Sequence, residues 1–385
     1  MAETRDAETG SKAAGAPPAR VFGNRVLVTS GNIAEARVDD AGDAPKLAKG
    51  EALFAVSRAA LTANNVTYAA MGETMGYWRF FPAPAGTGTP GVWGFADCIG
   101  SEAKGIRKGD RFYGYWPLAE RLLVETDGIG ASGFYDPSEH RQGLADIYNR
   151  YDRRDDDGKT DAERVEALYR PLFLTGWLIS LTLEGASDFG AKQVVLSSAS
   201  SKTAIACAWA LSQREGQPGD GRPKIIGLTS PGNIDYCEQL GIYDVVHTYG
   251  DVGRVAEDQP TVFVDFAGSA DIRRRVHEHF ATRLGRSIAV GLTHWKESGE
   301  GSGDLPGPEP KMFFAPDAVG DQMQRSGAAD FNRRSQETWE EFAEWVAPRT
   351  KVEAIASMAD AVAAWHRLAG GDMHGGGGLV VELPD

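Results

Sequence analysis

Residues 197–203, Ser-Ser-Ala-Ser-Ser-Lys-Thr, sit between an apolar run, Val-Val-Leu, and a stretch of helical character, Ala-Ile-Ala-Cys-Ala-Trp-Ala-Leu. A buried strand that turns directly into a helix is where a nucleotide-binding βαβ unit holds a pyrophosphate. The turn needs small side chains for close approach, and the helix N-terminus offers free N–H groups. Such units place glycines here; this chain has Ser198, Ser200 and Ser201, followed by Lys202 and Thr203. Serine meets the size requirement only in part, but its hydroxyl can donate to a phosphate oxygen. Lys202 brings a positive charge to a helix start, where it otherwise opposes the helix dipole. The alternative is that these serines merely cap the helix. Four serines in five positions exceed what one cap requires, so a phosphate cradle is the preferred reading.

The next apolar run decides the nucleotide. NAD-preferring units end their second strand in an acid that binds the ribose diol. Here Ile-Ile-Gly-Leu-Thr-Ser-Pro-Gly-Asn closes on Thr229, Ser230 and Asn233 with no acid at the tip. Hydroxyl and amide donors without a carboxylate favour a 2′-phosphate, hence NADP, with Lys202 as the candidate cation. An ordinary turn with an Asn cap uses the same donors. Elsewhere, Tyr77, Trp78, Tyr115 and Trp116 lie in two aromatic clusters, Met-Gly-Tyr-Trp-Arg-Phe-Phe-Pro and Phe-Tyr-Gly-Tyr-Trp. They are candidates for an apolar substrate wall, and as readily plain core.

These residues need a scaffold. At 385 residues, two domains are the first expectation. Hydrophobic residues at 42% and charged residues at 24% describe a globular protein. The net charge of −14 argues against a nucleic-acid partner, which needs a basic surface. Residues 1–20 lack the apolar core of a signal peptide and read as a disordered tail. No apolar run reaches membrane-spanning length. Three scattered cysteines, Cys98, Cys207 and Cys237, argue against disulfides and for a reducing cytoplasm. Short β segments broken by turns fill the first part of the chain. Residues 132–170 form a charged stretch of mixed loop and helix with an exposed tip, Asp-Arg-Arg-Asp-Asp-Asp-Gly-Lys-Thr-Asp. A helix is expected to open after Pro171. From Lys192 onward, strands alternate with helix-length segments, which predicts a doubly wound parallel sheet.

Several phrases, in this order, resemble the medium-chain dehydrogenase/reductase superfamily, especially its zinc-free quinone and enone reductases. Ala-Leu-Thr-Ala-Asn-Asn-Val-Thr-Tyr-Ala-Ala-Met-Gly is similar to its Asn-Pro-x-Asp-Tyr segment, with Asn65 and Thr67 replacing proline and aspartate. Gly-Ile-Arg-Lys-Gly-Asp-Arg-Phe resembles its Gly-Asp-Arg-Val turn. Pro-Leu-Phe-Leu-Thr-Gly-Trp resembles its Gly-Leu-Thr-Ala-Tyr helix and places Thr175 at the family threonine. Leu-Gly-Ile-Tyr-Asp-Val-Val-His-Thr-Tyr and the closing helix and strand also match.

The resemblance implies an α/β chain: a Rossmann doubly wound sheet plus a GroES-like β-rich domain. Outside the disordered tail at 1–20, which it does not cover, it implies a GroES-like catalytic domain at 21–170, interrupted by the charged insertion near 132–170, a nucleotide-binding domain at 171–308, and a segment at 309–385 returning to the catalytic domain. It sets Ser198, Ser201 and Ala204 on the three glycine positions of the family turn and Tyr249 near the cofactor phosphates. Ala267 and Gly268, with Gly291 and Thr293, would line the nicotinamide half. Tyr68 becomes the first candidate for proton delivery, and equally a wall residue that stacks on substrate or nicotinamide without transferring a proton; His294, just after a strand end, is the second candidate donor. The superfamily's Gly-His-Glu zinc segment is absent, as is any Cys-x-x-Cys, so no metal is expected. The implied protein is a cytoplasmic, homodimeric, zinc-independent NADPH-dependent reductase acting on an enone, quinone or other activated carbonyl compound. Two rivals remain open: a non-redox enzyme and a nucleotide-binding sensor on the same fold.

Overall fold

The computed structural model describes residues 20–155, 158, 160–290, 305–371 and 375–383. The turn-rich first part builds β1 (Val21–Thr29), β2 (Asn32–Asp40), β3 (Glu51–Leu61), β4 (Thr87–Gly88), β5 (Gly91–Ser101), β6 (Arg111–Pro117), β7 (Ala119–Glu125), β8 (Asp127–Gly130), β9 (Gly133–Tyr135) and β10 (Arg150–Arg154). They form a largely antiparallel sheet in the order β2-β1-β7-β3-β5-β6-β10-β9-β8. One short helix, α1 (Ala63–Ala70), follows β3, with Asn65 closing a capping box on Thr62.

The alternating part builds β11 (Gln193–Leu196), the small ribbon β12 (Gln217–Pro218) and β13 (Gly221–Arg222), then β14 (Lys224–Thr229), β15 (Val245–Thr248), β16 (Thr261–Asp265), β17 (Leu284–Ala289) and β18 (Lys311–Met312). The parallel sheet runs β15-β14-β11-β16-β17-β18. Every residue of β11 and β16 is buried, as expected for strands covered on both faces. Helices α2 (Thr160–Gly185), α3 (Lys202–Ser212), α4 (Ile234–Gln239) and α5 (Ala270–Phe280) accompany these strands. No helix among the described residues is long and apolar enough to cross a membrane.

Three expectations change. First, the helix expected after Pro171 begins at Thr160 and carries Pro171 inside it. An interior proline costs a helix about 3 kcal/mol, but tertiary contacts hold the first half. Glu163 bonds both Arg58 and Arg111, at 2.6 and 2.8 Å for the latter, and Leu168 and Tyr169 are fully buried. Farther along, the α2 backbone touches α3 at Gly176, where a Cβ would lie 2.7 Å from the Thr203 carbonyl oxygen.

Second, much of 132–170 is not loop. Strands β9 and β10 extend the antiparallel sheet, and their charges are paired. Arg153 meets Asp110 at 2.6 Å and Arg154 meets Glu166 at 2.9 Å, each guanidinium also lying over an aromatic ring. Gly133, at φ 142°, brings its backbone against Tyr151, where any Cβ would collide with the carbonyl. Within the expected tip, Asp156, Asp157 and Lys159 lie outside the described residues.

Third, the C-terminal part divides. Helices α6 (Ala315–Ser326) and α7 (Ala328–Val346) pack on α2, and Phe342 of α7 meets Trp209 of α3 with ring centroids 5.2 Å apart. The return to the antiparallel sheet is made by β19 (Lys351–Ile355) and β20 (Gly377–Glu382), with α8 (Met358–Ala369) between them. β20 pairs with β3, and Glu382 binds Arg58 and Arg164 at its end.

Candidate active site

The turn after β11 is the first half of the site. Ser198 adopts a left-handed backbone at φ 51°, which costs a non-glycine residue about 1 kcal/mol or more. Its N–H donates to the Tyr249 hydroxyl at 3.2 Å. Ser201 is the N-cap of α3, its Oγ accepting from the Ala204 N–H at 3.4 Å. The Ile205 N–H makes the first bond back to the Ser201 carbonyl. First-turn amides have no intrahelical acceptor, so Lys202 and Thr203 present theirs at the helix N-terminus, an anion-binding geometry. The cap therefore leaves these two amides open.

The remaining hydroxyls bind one another. Ser200 Oγ accepts from the Asn233 amide at 3.1 Å and from the Thr229 hydroxyl at 3.4 Å. Asn233 also donates to Ser230 Oγ at 3.0 Å and accepts from the Gly375 N–H at 2.9 Å. The tips of β11 and β14 and the run before β20 are thus tied together by uncharged groups.

Lys202 corrects the sequence reading. Its ammonium donates to the Gly377 carbonyl at 2.7 Å and lies 5.5 Å from the centre of the Tyr169 ring. Burial pushes its pKa down to about 8. The side chain clips β20 to the start of α3 and does not offer its charge to the turn. Sequence places a lysine at a helix start; only the packing of α2 and β20 decides where its four-carbon stem leads.

Behind the turn sits a hub that sequence reasoning missed. Ser197 Oγ donates to Asp265 at 2.8 Å and accepts from the Ala267 N–H at 3.0 Å. The same carboxylate oxygen accepts from the Gly268 N–H at 3.0 Å, and the other takes Arg273 at 2.8 and 3.0 Å. Asp265 is fully buried, and a buried carboxylate persists when paired and hydrogen-bonded. The legible signal is an acid ending a largely apolar strand, with an arginine in the first turn of the helix that follows.

The second half of the site surrounds Tyr68. Its ring stacks on Tyr77 with centroids 4.5 Å apart and meets Tyr115 and Tyr148 edge-on. Burial raises its pKa. Asn64 and Trp93 line a small cavity bounded across the cleft by Pro171 and Leu172 of α2. Thr175 lies one turn farther along that helix, its hydroxyl on the Pro171 carbonyl at 3.3 Å.

Of the four wall candidates, Tyr115 and Trp116 are fully buried; they are core of the antiparallel sheet and not a wall, because every residue of β6 is covered. Tyr77 and Trp78 are half-buried and pack against that core. Gly291, Thr293 and His294 lie outside the described residues. All three cysteines are buried free thiols, and burial pushes Cys98 and Cys237 up to about 11 and Cys207 to about 12. Among the described residues, no group of three His, Cys, Asp or Glu side chains is placed to hold a metal ion.

A family model described as Protein of unknown function (DUF2855) matches residues 59–374. The chain belongs to this family. No curated protein matches it in sequence. Solved structures do match this DUF2855 member. CurA from Vibrio vulnificus, crystallised in complex with NADPH, has a TM-score of 0.56 at 13% identity, over 94% of this chain and 99% of that one. The quinone oxidoreductase from Coxiella burnetii has 0.54 at 14%, over 94% and 99%. Mycobacterial Rv1454c, complexed with NADPH, has 0.54 at 15%, over 93% and 99%. Likeness at these identities establishes the fold: this DUF2855 chain has the medium-chain dehydrogenase/reductase architecture, with a GroES-like antiparallel sheet and a Rossmann sheet.

Proposed function

We propose that the chain is a zinc-independent, NADPH-dependent reductase acting on an enone, quinone or other activated carbonyl compound. The observation that carries this reading is the turn at Ser198. A serine held at φ 51° at the carboxyl end of β11, beneath the open amides of α3, has the form a pyrophosphate needs. Two structures of the same fold are complexes with NADPH. When bound, the nicotinamide supplies hydride.

The chain's own residues do the rest. The Lys202 and Thr203 amides would hold the pyrophosphate, with Ser198 and Ser201 shaping the turn and Tyr249 bracing it. Thr229, Ser230 and Asn233 would meet the adenosine end, where the missing carboxylate favours NADP even though Lys202 faces elsewhere. The Ser197–Asp265 hub fixes the turn of Ala267 and Gly268. Tyr68, kept protonated by burial, would hold the substrate oxygen and give it a proton, with Thr175 across the cleft.

Zinc independence is supported by the sequence, which has neither the superfamily's Gly-His-Glu zinc segment nor any Cys-x-x-Cys. The reading includes a reducing cytoplasm, supported by the three free thiols, and a homodimer, which rests on the resemblance alone.

Calorimetric titration with NADPH and NADH tests the proposal. NADPH should bind more tightly, and Ser230→Asp should weaken NADPH by tenfold or more, about 1.4 kcal/mol, through repulsion of the 2′-phosphate. Absence of binding by either nucleotide would leave the non-redox rival standing.

A further inference from the structure

Trp93 of β5 is a buried donor with nothing to donate to. Only 8% of the residue is exposed, and its Nε1–H makes no hydrogen bond. Other buried indoles in the chain are satisfied. Trp116 donates to the Gly94 carbonyl at 3.0 Å and Trp365 to the Ile33 carbonyl at 2.8 Å. A buried N–H left unmet is costly and needs a physical reason. The Trp93 ring is also firmly held. It stacks on Tyr113 with centroids 5.9 Å apart and packs against Tyr115 and Tyr148 at 5.4 and 5.6 Å.

The side chain lines the small cavity in the cleft between α1 and α2. Thr62 and Asn65 also line it, but they bond each other, and the Asn65 amide donates to the Gly91 carbonyl at 2.8 Å. Asn64, four residues before Tyr68, shares that residue's face of α1. Leu168, Pro171 and Leu172 of α2 form the apolar opposite wall. Burial raises the Tyr68 pKa, and Tyr148, Trp93 and Asn64 oppose the rise. At about 10 Å³ the cavity admits one oxygen atom, that of a water or the carbonyl oxygen of a larger molecule.

We propose that Trp93 is a substrate-binding residue whose Nε1–H takes the substrate's carbonyl oxygen beside Tyr68. The inference rests on the reading of the chain as a reductase of activated carbonyl compounds and adds the group that holds the oxygen. An indole N–H only donates, so it suits an oxygen that gains negative charge. Hydride from the nicotinamide forms a C–H bond at the β-carbon of an enone. The C=C pair moves to the bond beside the carbonyl carbon, and the C=O pair moves onto the oxygen. Tyr68 gives that oxygen a proton and regains one from solvent. A fixed N–H in a water-poor cleft stabilises the charge developing on oxygen more than it stabilises the neutral ketone.

The test labels the indole nitrogens of the full chain with 15N and follows the Trp93 N–H resonance. That resonance is identified by through-bond assignment and by its loss in Trp93→Phe. The probe is cyclohexanone, a saturated ketone, added with and without NADP⁺. Methylenecyclohexane, which has the same shape without the oxygen, is the control. The ketone should move the resonance downfield to saturation, and the control should not. A resonance unmoved by the ketone in both nucleotide states, or moved alike by both probes, overturns the inference and leaves the cavity to water. Turnover of NADPH with cyclohexenone is the second measurement. Trp93→Phe should lower kcat about 10²-fold with NADPH affinity unchanged. Asn64→Ala, which leaves the indole packing intact, should lower it less. Full activity in folded Trp93→Phe overturns the inference, as does a greater loss in Asn64→Ala, which would give the oxygen to Asn64. A wild-type chain that binds the ketone at Trp93 but neither binds NADPH nor reduces cyclohexenone overturns the reductase reading and leaves the oxygen site standing.

Discussion

At the turn after β11, seven consecutive residues supply the cap, the left-handed bend and the open amides. Around Tyr68, the hydroxyls come from α1, from the turn at Tyr77–Arg79, and from the insertion at Asp146–Tyr148. The two halves also differ in how they are held. The cap bond from Ala204 to Ser201 is local, but the turn is also tied to Tyr249, Thr229, Asn233 and Asp265 at neighbouring strand ends, with the buried Asp265–Arg273 pair behind it. The tyrosine pocket depends on ring packing and on a different buried pair, Arg141–Asp136, many residues away from Tyr68. The turn keeps its cap and bend from neighbouring residues even where its outer bonds change, whereas the tyrosine pocket has no such local framework.

The largest expected effects come from breaking the two ion pairs. Asp265→Ala strands the Arg273 cation, and Arg141→Met strands the Asp136 carboxylate. Each should cost about 3–5 kcal/mol in urea unfolding, the usual consequence of an uncompensated buried charge. Their second consequences should differ. Asp265→Ala should weaken dinucleotide binding more, and Arg141→Met should perturb the Tyr68 ring resonances in NMR more. Equal effects of both variants on both readouts would mean that the halves are not separately supported.

A smaller effect tests whether Lys202 belongs to the scaffold. Folding lowers its pKa from 10.5 to about 8 through burial, so the unfolded chain binds the proton more tightly. The contribution of this residue to stability therefore rises as pH increases from about 8 toward 10.5. Lys202→Met has no such dependence. Its stability relative to wild type should fall by at most about 3 kcal/mol as pH goes from roughly 7 to 10. A difference that stays constant over that range would place the ammonium in water.

The smallest effect is at the bend itself. Ser198→Gly removes the left-handed strain but loosens the unfolded chain, so stability should stay within about 1 kcal/mol of wild type. Dinucleotide binding should be at least as tight. A clear loss of binding would show that the Ser198 side chain, and not the backbone it shapes, makes the contact.

Local patterns made the parallel sheet legible, because buried strands and their helices repeat over short distances. Val-Val-Leu followed by serines placed the turn, and the absent acid after β14 placed its polarity. Helix α2 was misread at its start because Pro171 is a local stop signal, overridden by Glu163 pairing with arginines of β3 and β6. The insertion looked like solvated charge because its partners, Asp110 and Glu166, lie on other elements.

The sequence by itself determined the alternation of strands and helices from Lys192 onward and the strand–turn–helix at Ser198. Tertiary structure alone decided that Lys202 turns to Gly377, that Tyr115 and Trp116 are core, and that Tyr148 reaches Tyr68. The reason is range. Capping, turn geometry and strand periodicity act between residues a few positions apart and can be read in order. The direction of a long side chain and the company of a buried hydroxyl depend on which distant segments pack beside them, here β20 for Lys202 and the insertion for Tyr68.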